Sequence, residues 1–118
     1  METVKFDKYY SKLKSKNFTT IRNHYKNIKL GSIVECRVAG KTEKEEDIIF
    51  YARLMKIKIQ TLWLVDDELL EKDLNLHKSE CYGISIDDAL HALREFYPDL
   101  QPDDNIFIYY FKRDWGVV

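Results

Sequence analysis

The spacing of apolar and polar residues predicts four β-strands. In "SIVECRV", residues 32–38, apolar and charged side chains alternate, as they do in a strand with one buried face. Residues 18–22 form a shorter run rich in β-branched side chains. Residues 48–60 form one long strand or two strands joined by a bend, and both faces of this run begin apolar. The last run, "NIFIYYFKR" at 105–113, has large apolar groups on both faces, which predicts a central strand.

Apolar residues at helical spacing predict three helices. Residues 4–15 place apolar side chains on one face and lysines on the other. Residues 66–74 form a short acidic helix with two leucines directed inward. Ser85 is a typical N-cap, the residue that accepts hydrogen bonds from the first free N–H groups of a helix. The helix after it is expected to end before Pro98.

The predicted elements follow the order helix, strand, strand, long strand, two helices, strand. This order excludes a regular βαβ repeat. It predicts an α+β fold with a curved, mainly antiparallel sheet, and the long strand suits a small β-barrel with flanking helices. With 118 residues the chain is expected to form a single domain, residues 1–118.

Composition narrows the class of protein only a little. A hydrophobic content of 45% predicts a folded chain, and a net charge of -1 leaves nucleic-acid binding open because the distribution of charge matters more than its sum. The chain has no long apolar run, and Cys36 and Cys81 lack metal-ligand spacing. We therefore expect a cytoplasmic protein that binds no membrane, no metal and no cofactor.

Two arginines are candidates for ligand contacts. Arg22 ends the strand at 18–22 on the same face as Thr20, and Arg53 interrupts the apolar odd-numbered face of the long strand. A guanidinium in such a place must be paired or must face a cleft, because an unpaired buried charge is very costly. Arg53 therefore either pairs with Glu35 or an aspartate, or contacts a phosphate or base. The sequence leaves both alternatives open.

The loop after Arg22 combines aromatic and basic side chains. Tyr25 lies there among Asn23, His24, Lys26 and Lys29, which is the mixed setting of many nucleic-acid sites. Tyr51 on the long strand is a second candidate for stacking on a base, a contact that contributes about 1–3 kcal/mol. A loop of solvated lysines is the simpler interpretation of the same residues.

Several segments resemble the ASCH domain of the PUA-like superfamily in their order and spacing. They are "KLKSKNFTTIR", "IKLGSIVECRV", "IIFYARLMKI", "LLEKDLNLHKSECYGISIDDALHALREFYP" and "NIFIYYFKR", from about Phe6 to Arg113. The resemblance implies a small β-barrel with flanking helices and a cleft that binds RNA or a nucleoside. It implies that Thr20 and Arg22 line the cleft and that the loop from Tyr25 to Lys29 forms its rim.

One branch of the ASCH family hydrolyses acylated cytidine nucleosides with a Lys-x-x-Thr run and a downstream glutamate. Thr20 matches the threonine, but the lysine position falls on Asn17, next to Lys16, and the glutamate position falls near Tyr82, two residues from Glu80. A shift of one residue in a strand turns the side chain to the opposite face. This departure argues against the hydrolase, whose residues here would be Lys16, Thr20 and Glu80.

The sequence thus supports three functions. The first is binding of single-stranded or looped RNA, and its candidate residues are Lys16, Asn17, Thr20, Arg22, Tyr25, Lys26, Lys29, Tyr51 and Arg53. The second is hydrolysis of a modified nucleoside, or a ribonuclease activity. The third is a protein–protein interaction domain, including a homo-oligomer, in which the acidic helix at 66–73 forms the contact surface.

Overall fold

Five strands and two α-helices make up the part of the chain that the computed structural model describes, residues 1–42, 44–76 and 83–114. They are β1 (Thr3–Phe6), β2 (Asn17–Arg22), β3 (Ile33–Val38), β4 (Ile48–Thr61), α1 (Asp67–Leu74), α2 (Ile86–Arg94) and β5 (Asn105–Arg113). Two short 3₁₀ turns cover Ser11–Lys14 and Leu62–Leu64. Within these ranges no helix has the length and apolar character needed to span a membrane.

The strands form one mixed sheet in the order β1-β3-β4-β5-β2. β1 runs parallel to β3, with Lys5 opposite Arg37, whereas β3 runs antiparallel to β4, with Ile33 opposite Arg53. The predicted α+β class is therefore confirmed, and the sheet contains a parallel pair that the pattern did not indicate. β5 lies inside the sheet order, between β4 and β2, as its two apolar faces predicted.

The predicted helix at 4–15 is wrong. Its first half is strand β1, and its second half contains only the 3₁₀ turn Ser11–Lys14. Val4 and Phe6 are buried on either side of exposed Lys5, which is a strand period as well as part of a helical one. Pairing with β3 decides between the two, because the strand bonds β3 and buries Val4 and Phe6, whereas a short helix by itself is only marginally stable in water.

The chain divides into two compact units. The first comprises Met1–Phe18, Lys26–Ile57 and Tyr109–Val118, and the second comprises Thr19–Tyr25 and Lys58–Ile108.

The first unit has its core on one face of β1, β3 and β4. On β4 the buried residues are Phe50, Ala52 and Leu54, and Ile49 and Met55 on the odd-numbered face are exposed. Both faces of the early part of β4 were expected to be covered. The exposure of Ile49 on the odd-numbered face differs from that prediction. The apolar residues of this face lie in solvent because β3 and β4 direct a continuous buried row to the other side.

Aromatic rings fill the centre of this core. The ring of Phe18 lies 5.3 Å from Phe111, 5.9 Å from Phe50 and 6.3 Å from Phe6, measured between centroids. Such pairs contribute about 0.5–1.5 kcal/mol beyond the burial of their surface. Cys36 packs in the same core as a fully buried thiol that is not part of a disulfide.

The second unit contains both α-helices, close to where the sequence predicted them. Asp66 caps α1 by accepting a hydrogen bond from the Glu68 N–H at 2.8 Å, and Ser85 caps α2 by accepting one from the Asp87 N–H at 3.2 Å. α2 ends at Arg94, a few residues before Pro98, and a turn continues the chain from there. Leu70, Leu90 and Leu93 are the buried leucines of the two helices.

The two faces of β4 can be tested on adjacent residues. Leu54 is fully buried (0% exposed), and Met55 is 53% exposed. We expect Leu54→Ala to lower the free energy of unfolding by about 2–5 kcal/mol, because it removes buried methyl groups and leaves a cavity. Met55→Ala is the matched control and is expected to change it by less than about 0.5 kcal/mol. Urea denaturation followed by circular dichroism measures both, and equal losses would contradict the assignment of faces.

Candidate nucleic-acid interface

Two of the predicted site residues, Tyr51 and Arg53, lie on the outward face of β4 in the first unit. They are there because successive side chains of a strand point to opposite faces, and the intervening Ala52 is buried. Across the antiparallel pair Glu35 lies opposite Tyr51 and Ile33 lies opposite Arg53. This outward face of β1, β3 and β4 is called the sheet face below.

Arg53 is paired with an aspartate, which was one of the two alternatives. Its Nη1 donates to the carbonyl oxygen of Gly31 at 2.5 Å, and its Nη2 lies 3.5 Å from Oδ2 of Asp114. The side chain nevertheless remains 44% exposed. Among the described residues Gly31 and Asp114 are its partners, and a guanidinium has five N–H donors. Arg53 therefore retains donors that a ligand can reach.

Asp114 ties Arg53 to Tyr51. Its backbone N–H donates to the carbonyl oxygen of Tyr51 at 2.9 Å, while its carboxylate pairs with the guanidinium. Sequence reasoning missed Asp114, which follows the last strand directly and carries no motif. Its role depends on where the end of β5 lies beside β4, which only the fold decides.

A second arginine lies on the sheet face. Arg37 donates from Nη2 and Nε to Oε1 of Glu35, at 2.8 and 3.1 Å, and its Nη1 is 3.8 Å from Asp47. The hydrogen bond to Glu35, with the attraction of its charge, raises the pKa of Arg37 above its usual value. Arg37 thus remains a cation at every physiological pH. Glu35 was a candidate partner for Arg53, but its carboxylate accepts the hydrogen bonds of Arg37 instead.

The predicted basic residues of the first unit occupy different environments. Lys26 is held in place: its Nζ donates to the carbonyl oxygen of Thr3 and lies 3.7 Å from Glu2, and its backbone N–H donates to the Tyr109 hydroxyl at 2.6 Å. Its contacts anchor the loop to the first unit. Lys16 and Lys29 are exposed, and so is the neutral Asn17.

Arg113, a basic residue at the end of β5, has a structural role. Its Nη1 donates to the carbonyl oxygen of Leu13 at 2.8 Å and to the Tyr9 hydroxyl at 3.1 Å. Its guanidinium also stands 4.2 Å from the centroid of the Phe50 ring. These contacts fasten the end of β5 to the core, and we leave Arg113 out of the candidate interface.

In the second unit, a hydrogen bond explains why Arg22 and Thr20 share a strand face. Arg22 Nε donates to Oγ1 of Thr20 at 3.1 Å. Thr20 is 4% exposed, so this bond satisfies a buried hydroxyl oxygen. Tyr25 is 55% exposed, with its ring 5.8 Å from Phe107. Of the predicted residues in this unit, the structure brings Thr20 and Arg22 together, and it presents Tyr25 to solvent.

Asp73, at the end of the acidic helix, is a buried structural residue. It is 6% exposed and accepts a hydrogen bond from the Thr19 hydroxyl at 2.6 Å. The expected contact surface at 66–73 therefore excludes Asp73. Its exposed acidic residues are Asp66, Glu68 and Glu71.

The described residues give no geometric support for a hydrolase. Lys16 is exposed and Thr20 is buried, whereas Glu80 and Tyr82 lie outside the described residues. In the same described ranges, no group of three or more His, Cys, Asp or Glu side chains comes together as a metal site.

Comparisons with protein-family models, curated proteins and solved structures found no match. The likeness to the ASCH domain therefore rests on the sequence motifs quoted above.

The two threonines of β2 provide a test of which hydroxyl stabilises the fold more. Thr19→Val removes a hydrogen bond to a buried carboxylate, and Thr20→Val removes one that comes from the partly exposed Arg22. We expect losses of unfolding free energy of about 1.5–3 kcal/mol and about 1 kcal/mol respectively, because bonds to buried charges are stronger. Chemical denaturation measures both. A larger loss for Thr20→Val would contradict the assignment.

Proposed function

We propose that the protein is an RNA-binding module of the PUA-like type, related to the ASCH domain, and that it holds single-stranded or looped RNA on the sheet face of its first unit. The observation that carries the proposal is the pair Tyr51 and Arg53, side by side on the outward face of β4. An aromatic ring next to an accessible guanidinium supplies the two contacts that unpaired RNA requires.

Each residue of the pair has a distinct role in the proposal. A base stacks on the half-buried ring of Tyr51, whose backbone is fixed by the hydrogen bond from Asp114. The guanidinium of Arg53 contacts a phosphate through donors that Gly31 does not use. The phosphate competes with Asp114, whose 3.5 Å contact is long enough to be exchanged. The exposed Lys16 and Lys29 add phosphate contacts of their own.

From the charges of the sheet face we expect it to bind RNA with modest affinity. Arg37 and Arg53 each have an acidic neighbour, Glu35 and Asp114 respectively, so part of their charge is neutralised before any ligand arrives. Binding then depends on base stacking as well as on counterion release. We expect RNA strands with unpaired bases to bind more tightly than duplexes, since a duplex offers no free base face to Tyr51.

Possible RNA contacts of the second unit are tested separately from those of the sheet face. It contains Arg22, which bonds Thr20, and the exposed Tyr25, and either residue can contribute a contact without belonging to the sheet face. The proposal includes a cytoplasmic location, with which a Cys36 thiol outside any disulfide is compatible.

A protein–protein interaction is the second candidate, and one observation favours it. In the second unit Trp63 and Leu64 are 59% and 53% exposed, directly before the acidic residues of α1. Exposed tryptophan is enriched at protein interfaces. A partner segment with apolar and basic side chains would suit these residues, and a second copy of the chain is the other possibility.

The RNA proposal is tested by fluorescence anisotropy with labelled single-stranded RNA bearing a 5′-hydroxyl end, at two salt concentrations. We expect Arg53→Ala to weaken binding about tenfold and to lower the slope of log K against log salt by about 0.7, because one phosphate contact is lost. Tyr51→Leu is expected to weaken binding about 5- to 100-fold while leaving that slope unchanged.

Met55→Ala is the control on the same face of β4 and is expected to bind as the wild type does. Arg22→Ala and Tyr25→Ala report on the second unit. Failure of the folded wild type to bind any single-stranded probe would overturn the proposal, and so would wild-type affinity in both Arg53→Ala and Tyr51→Leu. Acetylated cytidine in a parallel assay detects hydrolysis, and turnover would favour the hydrolase instead.

A further inference from the structure

A pocket of about 400 Å³ opens on the first unit beside the paired strands β1 and β3. Its walls are formed by Thr3, Lys5, Phe6, Arg37, Ala39 and Asp47. The volume lies within the range of small-molecule sites. None of these six residues belongs to the RNA contacts proposed above.

Two cations lie side by side at this pocket. The parallel register of β1 and β3 places Lys5 opposite Arg37, and both side chains are on the sheet face, opposite the buried Val4 and Cys36. Both residues border the same pocket, so one ligand can contact the two side chains.

The acids near Arg37 leave one side of its guanidinium without a hydrogen bond. Glu35 takes Nε and Nη2, at 3.1 and 2.8 Å. Nη1 is 3.8 Å from Asp47, which is an ion-pair distance and exceeds hydrogen-bond length. Among the described residues Arg37 is thus bonded on one side and only weakly paired on the other, and Asp47 is itself part of the pocket wall.

The chemistry of the pocket selects the kind of anion. A phosphomonoester carries a charge of about -1.5 to -2 at neutral pH and has three acceptor oxygens, whereas a carboxylate or a phosphodiester carries only one charge. A ligand that displaces Asp47 meets two cationic side chains, which favours the monoester. The half-exposed arginine supplies a directional contact and lysine supplies a point charge.

We propose that this pocket is a binding site for a phosphomonoester group, held by Lys5 and Arg37, with Asp47 as the acid that the phosphate displaces from Nη1 of Arg37. The group can come from a free mononucleotide or from the phosphorylated end of an RNA strand. The site does not depend on the RNA contacts of Tyr51 and Arg53.

The test is isothermal titration calorimetry of the whole chain with uridine 5′-monophosphate, uridine and inorganic phosphate. We expect the monophosphate to bind and uridine not to bind. Lys5→Gln and Arg37→Gln are each expected to weaken binding about tenfold, and Asp47→Asn is expected to strengthen it, because the competing carboxylate is gone. Lys41→Gln, an exposed lysine outside the pocket, is the matched control and is expected to bind normally.

The source of the phosphate is resolved by anisotropy with two RNA strands that differ only in a 5′-phosphate or a 5′-hydroxyl. If wild type prefers the phosphorylated strand and Lys5→Gln loses that preference, the phosphate comes from an RNA end. If only the mononucleotide binds, the phosphate comes from a free ligand. If neither the monophosphate nor the phosphorylated end is favoured by folded wild type, the proposal is wrong.

If Lys41→Gln and Lys5→Gln weaken binding of the monophosphate equally, the proposal is also wrong. That result would mean that binding depends on the overall charge of the protein and not on this pocket. Thermal melting of each variant checks that it is folded. If Arg37→Gln fails to fold, Lys5→Gln still tests the pocket, because Lys5 is at an exposed position. The 5′-hydroxyl strand with Arg53→Ala tests the RNA proposal separately, so the two can fail independently.

Discussion

The pleat of β3 and β4 is the constraint on which the candidate surface depends. Burial of Val34, Cys36, Ala52 and Leu54 on one side forces their neighbours in the chain to the other side. The large apolar area removed from water fixes the register, because a slip of one residue would expose the whole buried row. The sheet face, including Tyr51, is a consequence of that packing.

Electrostatic pairing on the sheet face limits what it can bind. Arg53 shares its charge with Asp114, and Arg37 shares its charge with Glu35 and Asp47. Ion pairs at partly exposed positions contribute little to stability, typically about 0–1 kcal/mol. They are correspondingly easy to exchange for an anionic ligand. The acids therefore act as internal competitors that favour multiply charged groups and ligands with an additional stacking contact.

Agreement between sequence and structure varies with the range of the interactions involved. Helices α1 and α2 were both predicted, and so was the cap of α2, because Ser85 acts on an N–H group only two residues away. The segment 4–15 was predicted wrongly, because its apolar residues fit both periods and the decisive partner, β3, is distant in the chain. The same limitation applied to Arg53, for which an aspartate was one of the open alternatives but Asp114 was not identified.

The sequence by itself determined the α+β class, the limits of β2 to β5 within about two residues, and the candidate status of Tyr51 and Arg53. These follow from local periodicity, which residues close in the chain express without their tertiary partners. The tertiary structure decided that residues 3–6 form a strand, that Thr19 bonds Asp73, and that Lys5 lies opposite Arg37. Such contacts join residues far apart in the chain, and only the register of the folded sheet and the packing of α1 bring them within reach.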